Sequence, residues 1–230
     1  MTRLLGIAAA VSVAIAAVPA YAAAAHAASA PVEGISVLES TQINSRLTDF
    51  SMQSSFLPSP AHVRILLPAG YAADPRRRYP VLYLMPGGFG QASDWTELGN
   101  AERITANAPL IIAMPGDGNG GWCTNWPNGE YSWETFHVHQ LIPWVDANLR
   151  TKATRAGRAI AGLSQGGFCS MSYPARHPDL FTTALAYSGA PDIAGDPEVE
   201  AGSTAIINAT EVGLDHVPPN SIFEIGRAHV

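Results

Sequence analysis

Two hydrophobic rhythms divide the chain. Across 34–55 apolar and polar residues tend to alternate (Ile35, Val37, then Leu47, Phe50, Met52), the pattern of strands with one covered face. Pro58-Ser59-Pro60 interrupts it, and 62–67 predicts a further strand before a turn over 68–78. From there the pattern changes. Segments 80–85, 110–114 and 159–161 are apolar throughout, and 181–187 is of the same character apart from Thr182 and Thr183, as strands covered on both faces of a parallel sheet are. Segments 95–107, 133–149 and 165–176 between them have helix length. In the second, Phe136, Leu141, Trp144, Val145 and Leu149 fall on one broad helical face. Segment 198–214 predicts another helix, and no further buried strand follows Tyr187. Strands alternating with helices predict an α/β fold, a mostly parallel sheet with flanking helices whose C-terminal strands are missing.

The beginning of the chain stands apart. Met1-Thr2-Arg3 is followed by an apolar run over 4–18 and by small-x-small sites at 20–22, 25–27 and 28–30. This predicts a signal peptide over 1–30 and a secreted protein. The run is shorter than the roughly 20 residues of a membrane span, so no stable membrane insertion is expected after cleavage. The remainder, 31–223, suits one domain. A formal net charge of -6 with no extended basic run argues against nucleic acid as a partner. Arg76-Arg77-Arg78 is expected to be the solvated tip of a loop. Cys123 and Cys169 stand either as one disulfide or as two separate thiols, and two cysteines alone do not make a metal site.

Candidate chemistry centres on Gly162-Leu163-Ser164-Gln165-Gly166, directly after the apolar run 159–161 and before a predicted helix. In that context a G-x-S-x-G string forms a nucleophile elbow, with glycines where a sharp turn presses backbone against backbone. Ser164 is then the nucleophile. Gly88, in Met85-Pro86-Gly87-Gly88-Phe89-Gly90 after a strand, and Gln165 would supply the two oxyanion-hole N–H groups. Gly116-Asp117-Gly118-Asn119-Gly120-Gly121 also fits the dinucleotide string G-x-G-x-x-G, but it runs into loop sequence rather than a helix. A calcium loop starting at Asp117 fails because its twelfth position is Asn128. The tryptophans that follow, Trp122 and Trp126, either line an acyl or sugar pocket or pack into the core.

Several strings recur in the order of a known family: Tyr83-Leu84-Met85-Pro86-Gly87-Gly88, Asp94-Trp95, Ala113-Met114-Pro115, Trp133-Glu134-Thr135-Phe136, Ala161-Gly162-Leu163-Ser164-Gln165-Gly166-Gly167 and Tyr187-Ser188-Gly189. Over about 33–223 the chain resembles the esterase family of α/β hydrolases that includes esterase D, feruloyl esterases and mycolyltransferases of the mycobacterial antigen complex. The resemblance implies the α/β-hydrolase fold, a Ser–Asp/Glu–His triad with Ser164 as nucleophile, and no metal or organic cofactor. The implied activity is hydrolysis or transfer of acyl groups from small-molecule or cell-wall esters. Glu134 matches a family position and is taken as structural. Pro86-Gly87 replaces the His-Gly of many members. The Asp-Gly-Leu-Arg string of the mycolyltransferases is absent, which argues for a general esterase. A binding protein that keeps the scaffold without turnover is the alternative.

The triad order places the acid and the histidine after Ser164. Asp192, His177 and His216 are poor candidates, since Asp192 comes early, His177 lies in a helix-ending turn and His216 in a proline-rich loop. The last seven residues, 224–230, are what GAG ATC GGA AGA GCA CAC GTC encodes. Apart from its first base, that string looks like a common sequencing-library adapter with a stop as its next codon. The expectation is a natural gene continuing past Phe223, with His229 and Glu224 outside the triad and the 230-residue chain inactive or nearly so.

Overall fold

Short turns fold the first three strands onto one another, because each connection is too brief to cross over. In the computed structural model, which describes residues 30–118, 120–126, 129–189, 196–198 and 201–202, β1 (Ile35–Gln42), β2 (Leu47–Ser54) and β3 (Ala61–Leu66) form an antiparallel meander. β4 (Val81–Met85), β5 (Ile111–Pro115), β6 (Arg158–Leu163) and β7 (Thr183–Tyr187) complete a seven-stranded sheet of order β1-β2-β3-β5-β4-β6-β7. The expected signal peptide apart from Ala30, Asp192, His216, nearly all of the expected 198–214 helix and the 224–230 tail lie outside the described residues.

The expected α/β architecture is present, and its sheet is mixed. β4 pairs parallel with β5 and β6, and β6 with β7, while β3 joins β5 antiparallel and carries the meander at that side. β5 is buried along its whole length, as its unbroken apolar run predicts. β7 is not. It is the edge strand of the described sheet, and Leu185 and Tyr187 are exposed although their sequence looks like a covered strand. An apolar run reports an affinity for burial, while the neighbours decide whether burial happens.

The helices deviate in instructive ways. Segment 95–107 is two single turns, α1 (Asp94–Glu97) and α2 (Ala101–Ile104), split where Gly99 N–H closes on Asp94 O and Asn100 adopts a left-handed φ of 53°. Segment 133–149 is helical but not uniform: a π-helical stretch, Thr135–Leu141, runs into α3 (Ile142–Asn148). Pro143 has no N–H to close an α-turn onto the carbonyl four residues back, and the wider turns lie directly before it. Phe136 and Leu141, five residues apart, both end up fully buried. α4 (Gln165–Arg176) matches its predicted span.

Neighbouring residues of the central strands supply opposite faces. Tyr83 and Ile111 join the larger core with Phe136, Trp144 and Tyr173, whereas Leu84 and Ile112 join a smaller one with Leu47, Leu66 and Ala161. Trp122 and Trp126 are buried at 4% and 2% exposure, so both pack into the interior rather than form an open pocket wall. The glycine string ahead of them serves that packing. A Cβ on Gly121 would meet Trp133 Cδ1 at 2.6 Å and Asp117 O at 2.2 Å.

Candidate active site

Leu163 ends β6 and Gln165 begins α4, which leaves Ser164 to make the whole turn between them. It does so at φ 55°, ψ −116°, a conformation costly for a residue with a Cβ. The strain is held by backbone bonds on both sides. Ser164 N–H donates to Tyr187 O at 2.8 Å, and Ser164 O accepts from Gly167 N–H at 2.8 Å and Phe168 N–H at 3.1 Å. The result is an exposed serine at the C-terminal end of a central strand.

The flanking glycines are needed because main chain meets main chain there. A Cβ on Gly162 would lie 2.1 Å from Gly166 O, and one on Gly166 would lie 2.4 Å from Met85 O and 2.5 Å from Pro86 O. The second contact seats the end of β4 against the elbow. Beyond β4 the chain turns tightly: Gly90 N–H closes on Gly87 O at 2.9 Å, and Phe89 takes a φ of 63°. A Cβ on Gly87 would sit 3.8 Å from Ser164 Cβ, so this turn lies beside the serine. Trp95 Nε1 donates to Met85 O at 3.2 Å and ties α1 to the same junction. Among the described residues no acceptor pairs with the Gly88 or Gln165 backbone N–H.

Loop 116–123, leaving β5, packs under α4. Cys123 and Cys169 form a disulfide across 46 residues, which resolves the two alternatives left open by the sequence. Asp117 is fully buried beside it. Its Oδ2 accepts from Gln165 Nε2 at 2.7 Å and from Cys123 N–H at 3.0 Å. Asp117 is the site-adjacent residue that sequence reasoning missed. Its only signal was an acidic side chain within a glycine-rich loop at a strand end. Asp117, Cys123 and Cys169 also form a cluster compact enough for a metal ion, but the sulfurs are bonded to each other and offer no thiolates.

The described histidines are all engaged away from Ser164. His137 is buried: its Nε2–H donates to Gly116 O at 2.9 Å and its Nδ1 accepts from Tyr173 OH at 2.9 Å. Burial lowers its pKa from 6.5 to about 4, against a smaller upward pull from the Gly116 carbonyl, and so keeps the ring neutral. His177 Nε2 donates to Glu134 Oε1 at 2.7 Å at the far end of α4. His62 pairs with Asp49 on the outer strands, and His139 lies edge-on to His177. Ser164 Oγ has no side-chain partner among the described residues. No helix among them is long and apolar enough to cross a membrane.

A sequence profile of the family described as "Putative esterase" matches residues 54–208. Esterase Rv1288 of Mycobacterium tuberculosis is 38% identical over 161 residues, covering 68% of this chain and 35% of that protein. The chain thus spans about a third of the length of that relative. Among solved structures, an S-formylglutathione hydrolase from Agrobacterium tumefaciens superposes with a TM-score of 0.63 at 16% identity, covering 76% of this chain and 72% of that one. Mycobacterium tuberculosis MPT51 superposes with a TM-score of 0.58 at 24% identity, covering 76% and 62%. These likenesses carry the α/β-hydrolase fold.

Proposed function

Because this chain belongs to the esterase family of α/β hydrolases, we propose that it is a secreted serine esterase or acyltransferase whose nucleophile is Ser164. The observation that carries this reading is the strained, exposed Ser164, next to Gln165 and beside the Gly87 turn that leads to Gly88, whose backbone N–H groups have no partner among the described residues. Ser164 Oγ attacks the carbonyl carbon of a carboxylic ester as its proton passes to a histidine base. The negative charge then develops on the carbonyl oxygen. Donors already fixed in place stabilise that charge without reorganising, which is where such sites gain most of their rate.

Collapse of the tetrahedral species expels the alcohol, which takes the proton back from the base, and leaves an acyl group on Ser164. Water or an acceptor hydroxyl then attacks the acyl carbonyl and frees the serine. The base and the carboxylate that orients it are on this reading residues outside the described part of the protein, C-terminal to Ser164. No metal or organic cofactor enters these steps. The substrates proposed are small-molecule or cell-wall esters.

The test is fluorophosphonate labelling and hydrolysis of short-chain p-nitrophenyl esters by the purified protein, with Ser164→Ala as control. Labelling and turnover that vanish in S164A are expected. A folded protein that neither labels nor turns over ester would instead favour a binding protein on the same scaffold. The lack of a histidine at Ser164 Oγ among the described residues is what keeps that second reading in play.

A further inference from the structure

The side chain of Gln165 is held in an unusual way. It is 1% exposed, its Oε1 is buried without a hydrogen-bond partner, and its Nε2 donates to Asp117 Oδ2 at 2.7 Å. Among the described residues that bond is the only polar tether on the amide. The acceptor is itself fixed, because the same Oδ2 accepts from Cys123 N–H and Cys123 is bonded through sulfur to Cys169. Gln165 and Cys169 are four residues apart on α4, and therefore on one helix face. Asp117 and Cys123 thus grip the N-terminal two turns of α4, once by a buried hydrogen bond and once covalently.

We infer that Asp117 is a positioning residue for the oxyanion hole, holding the Gln165 N–H in line through the Gln165 side chain. This rests on the nucleophile and oxyanion roles proposed above. Gln165 opens α4, so its N–H has no intrahelical acceptor and its direction follows from the placement of this one residue. On one side Ser164 constrains it through the strained turn, and on the other Asp117 constrains it through the amide. A buried amide with only one bond made is a poor stabiliser, yet it is a stiff link between a braced carboxylate and a catalytic backbone group.

The test is a double-mutant cycle on ester turnover by the protein. Asp117→Leu keeps the branched shape and removes the acceptor; Gln165→Met removes the donor. Each is expected to lower kcat about tenfold with KM little changed, as a donor slightly out of place would. The double variant D117L/Q165M should be no slower than Q165M alone. Asp117→Asn should stay within about threefold of the parent, because its amide oxygen can accept both bonds made to Oδ2. Losses that multiply in the double variant, or a D117N as slow as D117L, overturn the inference.

A second readout is independent of turnover. In the 230-residue chain the ¹⁵N order parameter of the Gln165 N–H is expected near the rigid value of about 0.85 and to fall toward about 0.6 in D117L, with Cys169 N–H unchanged. An unaltered Gln165 value overturns the inference even if no ester is turned over, whereas loss of turnover alone counts only against the esterase reading. If D117L does not fold, Asp117→Ala replaces it in both measurements.

Discussion

Glu134 Oε1 accepts a hydrogen bond from His177 Nε2 at 2.7 Å, an acid–histidine pair that resembles half of a catalytic triad yet lies away from the nucleophile. Ser164 precedes the first residue of α4 and His177 follows the last, so twelve helical residues separate them. At 1.5 Å per residue that is roughly 18 Å, far beyond proton-transfer reach. Arg176 Nη2 also lies 2.8 Å from Glu134 Oε2, close enough for an ion pair though misaligned for a hydrogen bond. The pair ties the end of α4 to the start of the 133–148 helical segment.

Glu134→Ala is accordingly expected to act on stability rather than chemistry. It leaves two partly exposed cationic or polar partners rather than a buried one, so the expected loss is about 2 kcal/mol, below that for a fully buried pair. Urea denaturation checks the loss. Fluorophosphonate labelling of Ser164 in the folded variant should match the parent, and a selective collapse of labelling would assign Glu134 a catalytic role.

Gly166→Ala inserts a methyl group against two backbone carbonyls, Met85 O and Pro86 O, neither of which can rotate away like a side chain. An expected destabilisation of about 1–3 kcal/mol follows from overpacking, with displacement of the loop that carries Gly88. Gly202→Ala is the control, since among the described residues a Cβ there would have no atom within 4 Å. Thermal melting of the two variants distinguishes them; equal melting temperatures would show the elbow to be slack.

His137 gives the stability a pH dependence with a definite sign. Its pKa is lowered from 6.5 to about 4 in the folded protein, so between those values the unfolded chain binds a proton that the folded one does not. Stability is therefore full above about pH 6.5 and declines as pH falls toward 4, by roughly 3 kcal/mol from this group. Asp117 Oδ1 lies 3.9 Å from Nδ1. Urea midpoints at pH 7 and pH 4.5 should differ less in His137→Gln than in the parent, and an identical pH slope would remove His137 as the cause.

The Cys123–Cys169 bridge closes a segment of 46 residues, which in the chain-entropy view is worth up to about 4 kcal/mol through the unfolded state. A Cys123→Ala/Cys169→Ala variant should lose most of that, and its urea midpoint should no longer respond to dithiothreitol. A parent protein insensitive to reduction would mean that the native packing around α4 suffices without the bridge.

Local pattern determined a good deal of this protein. The alternation over 34–55 specified β1 and β2, the unbroken apolar runs specified β4 and β5, and the glycines around Ser164 specified a turn that only small residues allow. These features are legible because each depends on a residue and its near neighbours: side-chain period, chain stiffness, space for a Cβ. Tertiary structure decided the rest, since it depends on what arrives from elsewhere in the chain. It joined Cys123 to Cys169, buried Trp122 and Trp126, left β7 exposed at the edge, and brought Asp117 against Gln165 from 48 residues away. A hydrogen bond between a loop and the start of a helix has no periodicity, so no reading of either segment alone would reveal it.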